Sequence, residues 1–305
     1  MYKKFFGLRE NPFNVNPDPR FLFQTPETKE ALAALTYGVQ RRRGFILLTG
    51  EVGTGKTTLL NKFLDWLRRE RVATAFIFNP RLEVNQFLDF MMTDFGISNE
   101  SCPKNQLLTR LNQWLLERYR TGETATLIVD EAQNLSLDIL EEIRLLTNLE
   151  TSTEKLLQIV LSGQPELKRL LSQPQLRQLR QRITLRCHTA PLSAEQTHGY
   201  ILERLRVAGA NSEPVFDPGA IETVFQYSQG IPRVINLLCE HALITAYADG
   251  QRPVPAGVIQ TVAKEFELSD QEPEAPLPSE VEKASLRVVE SLQNLSALVD
   301  RLRRP

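Results

Sequence analysis

Apolar residues along the chain fall into two patterns. Short uninterrupted runs at 45–48 (Phe-Ile-Leu-Leu, opened by Gly44), 73–78, 125–129, 156–161 and 183–185 have the length of buried strands. Between them the apolar positions repeat at helical spacing, as in Leu32, Leu35 and Val39 from Glu27 onward. Leu137, Leu140, Ile143, Leu146 and Leu149 form a second such stripe, with Ser136 placed to cap the helix N-terminus. Strand runs alternating with helices predict an α/β fold with a mainly parallel sheet covered on both faces. After Pro191 the strand runs cease. Four helical segments follow at 193–208, 217–228, 231–248 and 254–267, with Ser193 and Asp217 at N-cap positions and Gly209 and Gly230 near helix ends. The expected organisation is an αβα core with an N-terminal arm over 1–190 and a small all-helical lid over 191–268.

The arm itself, 11–26, is rich in Pro, Asn and Asp and carries Phe13, Phe21 and Phe23, which reads as an ordered, turn-laden segment. Residues 269–280 are acidic and proline-rich, the composition of a flexible linker. Beyond it, Val281, Val288, Leu292, Leu295, Val299 and Leu302 fall on a 3-4 spacing, with Ser285 in the remaining slot. Two readings of 281–305 stand: a short coiled-coil seam for self-association or partner docking, or a solitary amphipathic helix.

Composition narrows the class. The chain has 305 residues, 42% apolar and 24% charged, with 36 basic residues against 37 acidic. A net charge of −1 makes no global electrostatic claim on nucleic acid or on an anionic membrane, although local basic patches remain. Cys102, Cys187 and Cys239 are too scattered for a disulfide framework and match no metal-ligand spacing, and His188, His198 and His241 do not cluster near them. A reducing compartment is expected. No apolar stretch approaches the ~20 residues that span a bilayer. The first residues, with an apolar run of only two before Gly7, do not read as a signal peptide.

The candidate chemistry lies at two places. Gly50-Glu51-Val52-Gly53-Thr54-Gly55-Lys56-Thr57 fits G-x-x-x-x-G-K-[ST], follows a predicted strand and opens a predicted helix from Thr58 to Leu67. Glycines let successive backbone N–H groups face one concavity, and the helix N-terminus adds positive potential for phosphate. Lys56 would reach the β- and γ-phosphates of a nucleotide and the Thr57 hydroxyl would bind Mg²⁺. The second element is the strand Thr126–Val129 running into Asp130 and Glu131. Asp130 would hold the hard cation directly or through water, and Glu131 would orient and polarise an attacking water. Taken alone, an acidic pair at a strand end is as often a helix cap. Following a Gly-Lys-Thr loop, it points to nucleotide hydrolysis.

These residues resemble an AAA+ ATPase, a P-loop NTPase, and within that superfamily the ExeA/GspA-like group. The resemblance covers about residues 1–268. It rests on NPFNVNPDPRFLF, GEVGTGKT, LIVDEAQNL, LQIVLSGQPEL and GIPRVINLLCEHAL. The first two phosphate elements are general to the fold; the arm, DEAQNL and GQPEL narrow it. The resemblance implies that Gln164, or alternatively Ser162, is the sensor that meets the lytic water or γ-phosphate. It implies an arginine finger at Arg182, ahead of Arg180, acting on a neighbouring subunit, with Arg177 and Arg186 on the same basic stretch. Arg233 matches the sensor-2 arginine that faces bound nucleotide from the start of a lid helix. A cation is disfavoured at a helix N-terminus, which an anionic ligand would account for. The arm and the helix to Val39 would wrap the adenine, with Phe13, Phe21 and Phe23 either stacking on the base or packing in the core.

The implied cofactors are ATP and Mg²⁺, and the implied assembly is a homo-oligomer. The first functional reading is an ATPase that assembles or remodels a bacterial envelope machine for secretion, pili or exopolysaccharide. Larger members of the group carry a membrane segment and a wall-binding domain after the lid, where this sequence has a linker and a heptad helix. An envelope role would therefore run from the cytoplasm, peripheral to the inner membrane, through a protein partner. The second reading is a DNA-binding regulator resembling the TniB/TnsC transposition ATPases, which recruits a recombinase. Arg41-Arg42-Arg43 and Arg68, Arg69 and Arg71 would then contact phosphate, or else form a solvated face. A third reading, a nucleotide-gated switch with negligible turnover, is disfavoured by the Asp130–Glu131 pair.

Overall fold

Residues 1–78, 82–98, 103–211 and 213–268 are described by a computed structural model. Cys102, the expected linker 269–280 and the expected heptad helix 281–305 lie outside the described residues.

In chain order the elements are α1 (Tyr2–Phe5), α2 (Pro26–Gln40), β1 (Phe45–Gly50), α3 (Lys56–Arg69), β2 (Ala73–Ile77), α4 (Val84–Asp94), α5 (Lys104–Arg120) and β3 (Ala125–Val129). There follow α6 (Leu137–Leu146), β4 (Leu157–Gly163), α7 (Pro165–Leu171), α8 (Arg177–Gln181) and β5 (Leu185–Thr189). Four helices complete the described chain: α9 (Ala194–Val207), α10 (Pro218–Ser228), α11 (Pro232–Ala248) and α12 (Ala256–Glu265).

The five strands form one sheet in the order β2-β3-β4-β1-β5, and every pairing is parallel. Side chains of successive strand residues point to opposite faces, so an all-apolar strand needs cover on both. Phe45 and Leu47 of β1 accordingly enter one core with Leu127 and Val129, closed by α4 to α8. Ile46 and Leu48 enter another with Ile128 and Val160, closed by Leu35 of α2 and by Leu60, Phe63 and Leu67 of α3. Register brings the carboxyl ends of four adjacent strands level: Leu48 pairs with Ser162, Gly50 with Thr189, and Val129 with Leu161. Parallel sheets place their ligand crevice at that edge.

The last strand differs from its expected position at 183–185 and lies at Leu185–Thr189. It borders the sheet, so Cys187 and Thr189 are buried while Arg186 and His188 face solvent. That alternation leaves no continuous apolar run to read.

Ser136 and Ser193 cap α6 and α9, accepting the N–H of Ile139 at 3.3 Å and of Gln196 at 3.1 Å. Asp217 stands at the N-cap of α10 without a side-chain capping bond. Gly209 and Gly230 follow α9 and α10 in the left-handed conformation.

Helices α9 to α12 build a third core of their own. Tyr2, Phe6, Leu8 and Phe13 lie inside it, although the arm was expected with the sheet. The apolar face of α11 explains the difference. α1 packs on it, and the Tyr2 hydroxyl donates to Glu240 at 2.8 Å. Phe13 meets Phe216 edge-on, 6.0 Å between ring centres, which assigns it to the core and removes it from the set of base-stacking candidates. Among the described residues no helix is long and apolar enough to cross a membrane.

Candidate functional site

β1 ends at Gly50, where nothing larger than glycine fits. A Cβ there would lie 2.0 Å from the Thr189 hydroxyl of β5. The chain then turns through Glu51–Gly55, with Gly53 at φ +80° and Gly55 at φ +93°, and enters α3 at Lys56. The Thr54 hydroxyl donates to the Glu51 carbonyl at 2.8 Å and lies 2.7 Å from the Thr189 hydroxyl, bracing the loop against the sheet edge. The Lys56 ammonium is buried and donates to the carbonyls of Gly50 (2.8 Å) and Glu51 (2.9 Å). Burial pulls its pKa below the ordinary lysine value, opposed by the nearby carboxylates of Glu131 and Asp130.

Across from the loop, β3 delivers the acidic pair. Asp130 Oδ1 accepts from the Ser162 hydroxyl at 2.7 Å and from the Glu131 N–H at 2.9 Å. Its Oδ2 lies 3.5 Å from the Thr57 hydroxyl. Burial raises the pKa of this carboxyl, and the Ser162 and Glu131 hydrogen bonds work against that rise. Glu131 sits at φ +50°, a left-handed conformation that strains a residue with a Cβ and persists where the surroundings impose it. Its Oε2 accepts from Gln133 Nε2 at 2.5 Å and from Gln164 Nε2 at 3.2 Å.

A cavity of about 340 Å³ opens between these groups, the arm and the helical subdomain. Val52 to Thr58, Glu131, Gln164 and Arg233 line it. Gly50, Glu51 and Asp130 stand behind that lining, the first two holding Lys56 and the third facing Thr57. Of the two sensor candidates, Gln164 faces the cavity; Ser162 is fully buried and committed to Asp130. Phe21 and Phe23 also line it.

Arg182 is elsewhere. It follows α8 just before β5, where the Thr184 N–H donates to Phe45, the first residue of β1. The length of β1, about 17 Å, separates that edge from the glycine-rich loop. Arg182 therefore does not reach the cavity of its own chain. The basic run at 41–43 is partly internal: Arg42 donates to the Glu123 carbonyl at 3.0 Å, pairs with Glu154 at 3.5 Å and stacks on Tyr119. Arg43 donates to the Tyr37 hydroxyl at 3.1 Å, and Arg68 pairs with Asp65 at 3.3 Å.

Sequence reasoning missed two groups. Gln133 grips Glu131, as above. Arg204, only 6% exposed, ties the arm to α9 by donating to the carbonyls of Pro12 and Asn14 and to the Tyr200 hydroxyl, and its guanidinium lies 4.6 Å from the centre of the Phe21 ring. Tyr200 in turn donates to Asn236 of α11 at 2.9 Å. The signal was a charge on the apolar face of α9, in line with Thr197, Tyr200, Ile201 and Leu205.

The profile of the AAA domain family matches residues 39–171. Over 266 residues the chain is 46% identical to General secretion pathway protein A of Aeromonas hydrophila, an alignment that covers 87% of this chain. The chain carries an AAA domain. It spans about half (48%) of the length of that relative. Solved AAA-type structures share the fold: the ORC2 protein of Aeropyrum pernix in its ADPNP–ADP complexes matches with a TM-score of 0.63 at 17% identity, covering 84% of this chain and 71% of that one. Cdc6p of Pyrobaculum aerophilum matches with 0.65 at 17% identity (80% and 68% covered). The RuvB Holliday junction branch migration motor of Thermotoga maritima matches with 0.57 at 15% identity (88% and 78% covered). At such identities these likenesses speak for the fold of this chain alone.

Proposed function

We propose that this chain binds ATP with Mg²⁺, hydrolyses it, and uses the cycle to assemble or remodel a bacterial envelope machine of the secretion, pilus or exopolysaccharide type. One observation carries the hydrolytic part. A single cavity gathers a buried ammonium, a loop of glycines at a helix N-terminus, and a carboxylate held by two amides.

The residues present suit both cofactors. The loop Gly50–Thr57 and the first turn of α3 offer N–H groups and positive potential to the phosphates, with Lys56 at the β- and γ-phosphates. Thr57 and Asp130 supply hard oxygens 3.5 Å apart, the donor chemistry that Mg²⁺ takes. Among the described residues no three His, Cys, Asp or Glu side chains gather as a site, so a divalent ion here would share phosphate oxygens and water. Bound, that ion would neutralise charge on the phosphates. Glu131 orients the attacking water and accepts its proton, Gln164 senses the γ-phosphate, and Arg233 reaches the nucleotide from α11. Arg182, out of reach of its own cavity, suits a finger supplied to the next subunit of a homo-oligomer.

The envelope reading is supported by likeness to General secretion pathway protein A; on that reading the chain acts from the cytoplasm, peripheral to the inner membrane, through a protein partner. Binding to DNA is the weaker reading, since Arg42, the middle residue of the basic run, spends its charge within the chain. Calorimetry with ATP and Mg²⁺ tests the binding claim: wild type gives a saturable heat and Lys56→Ala none. Absence of heat from wild type contradicts it. Capture of partners with ATP-loaded Glu131→Gln, nucleic acid included, tests the pathway. Recovery of DNA in place of envelope proteins would replace the first reading with the second.

A further inference from the structure

The two amide donors on Glu131 are not equivalent. Gln164 lines the cavity and bonds Glu131 at 3.2 Å. Gln133 does not line it and bonds the same oxygen at 2.5 Å. We propose that Gln133 is the positioning residue of the hydrolytic site: it clamps Oε2 of Glu131 and presents Oε1 to the attacking water. This rests on the reading of Glu131 as the group that orients that water.

Three features fix Gln133 in this role. Its own Oε1 accepts the backbone N–H of Gln164 at 3.1 Å. That bond settles which end of the amide is which and leaves the NH₂ group facing Glu131. Second, the space it occupies exists because residue 163 is glycine. A Cβ at Gly163 would lie 2.6 Å from Gln133 Oε1 and 2.9 Å from Leu167. Third, the left-handed turn at Glu131 leads into a 3-10 turn over Ala132–Asn134, closed by the Asn134 N–H on the Glu131 carbonyl at 3.0 Å. That turn brings Gln133, two residues on, back beneath the carboxylate.

The consequence is a division of labour. Both amide bonds fall on Oε2, and among the described residues none falls on Oε1, so one carboxylate oxygen is tethered and the other is available. The longer bond from Gln164 can be given up when a γ-phosphate competes for that amide. The shorter one from Gln133, anchored at its far end to the Gln164 backbone just after β4, keeps Glu131 aimed while the Gln164 side chain turns away. A neutral amide donating to a charged carboxylate is also among the stronger side-chain hydrogen bonds.

Two substitutions separate this role from simple packing. Gln133→Met keeps the length and removes both polar ends; Gln133→Glu keeps an acceptor for the Gln164 N–H and removes the donor. Turnover and ATP affinity are measured for each, with wild type and Glu131→Gln alongside. The expected result is a kcat lower by about tenfold or more in both variants, with Kd for ATP within about twofold of wild type. Turnover within twofold of wild type in either variant overturns the proposal, because the donor is then dispensable. Loss of ATP binding in both also overturns it, by making Gln133 a structural residue. If Glu131→Gln hydrolyses at the wild-type rate, the underlying assignment of Glu131 fails instead, whatever Gln133 does.

Discussion

The backbone N–H of Arg233 donates to the carbonyl of Gly53 at 3.2 Å, joining the first turn of α11 to the middle of the phosphate loop. This bond makes the helical subdomain part of the cavity wall. It also makes Gly53 answerable to two demands at once. Its φ of +80° is left-handed, and a Cβ there would lie 2.8 Å from the Arg233 Cβ and 3.0 Å from Ile231.

Gly53→Ala is therefore expected to meet both backbone strain and a close approach that only movement of α11 relieves. The strain alone costs about 1–2 kcal/mol. ATP affinity should fall by about tenfold or more, because relief displaces Arg233 from the cavity. Calorimetric titration checks it; an unchanged Kd would show that α11 does not set the pocket.

Lys56→Met tests a trade between stability and binding. Burial lowers the Lys56 pKa, so around that range the unfolded chain binds more protons than the folded one, and stability rises with pH. Below that range the cost of burying the ammonium is fully present. The variant should melt no lower than wild type without nucleotide at pH 7, and should lose the rise in Tm that ATP produces in wild type. A lower Tm in the nucleotide-free variant would show that the carbonyls of Gly50 and Glu51 depend on the ammonium more than burial penalises it.

Arg204→Met should detach the arm. Three acceptors lose their donor, and a buried unsatisfied carbonyl costs about 1–3 kcal/mol. Denaturant unfolding is expected to show a loss of about 2 kcal/mol or more. Arg204→Lys should recover little, since an ammonium cannot span partners placed for a planar fork. Full recovery with lysine would reduce the role to charge alone.

Burial pushes the Cys187 thiol up to about 12 and raises that of Cys239 as well. Since the thiolate is the reactive form, neither should be alkylated at pH 8 in the native chain, and both should be in denaturant. Peptide mapping after iodoacetamide treatment reads this directly. Native labelling of Cys239 would mean that the helical core opens readily.

How legible these features were in the sequence follows from what each depends on. β1, β3 and β4 are buried on both faces, so their apolar runs declare them; β5 borders solvent and alternates, and only its first residue fell in the expected span. The glycine-rich loop was readable because its spacing is itself the geometry. Arm packing was not, because an aromatic residue at a given spacing does not name its partner, and Tyr2, Phe6 and Phe13 went to the helical core. Gln133 was hidden for a related reason. Its role needs β4 alongside β3, a pairing that brings together residues 31 apart in the chain.

The most direct test of the central claim compares wild type with Glu131→Gln in two assays, ATP binding by calorimetry and phosphate release under saturating ATP and Mg²⁺. The predicted result is equal affinity and a turnover lower by about a hundredfold or more in the variant. Phosphate release at the wild-type rate from Glu131→Gln, or no ATP binding by the wild-type chain, would contradict it.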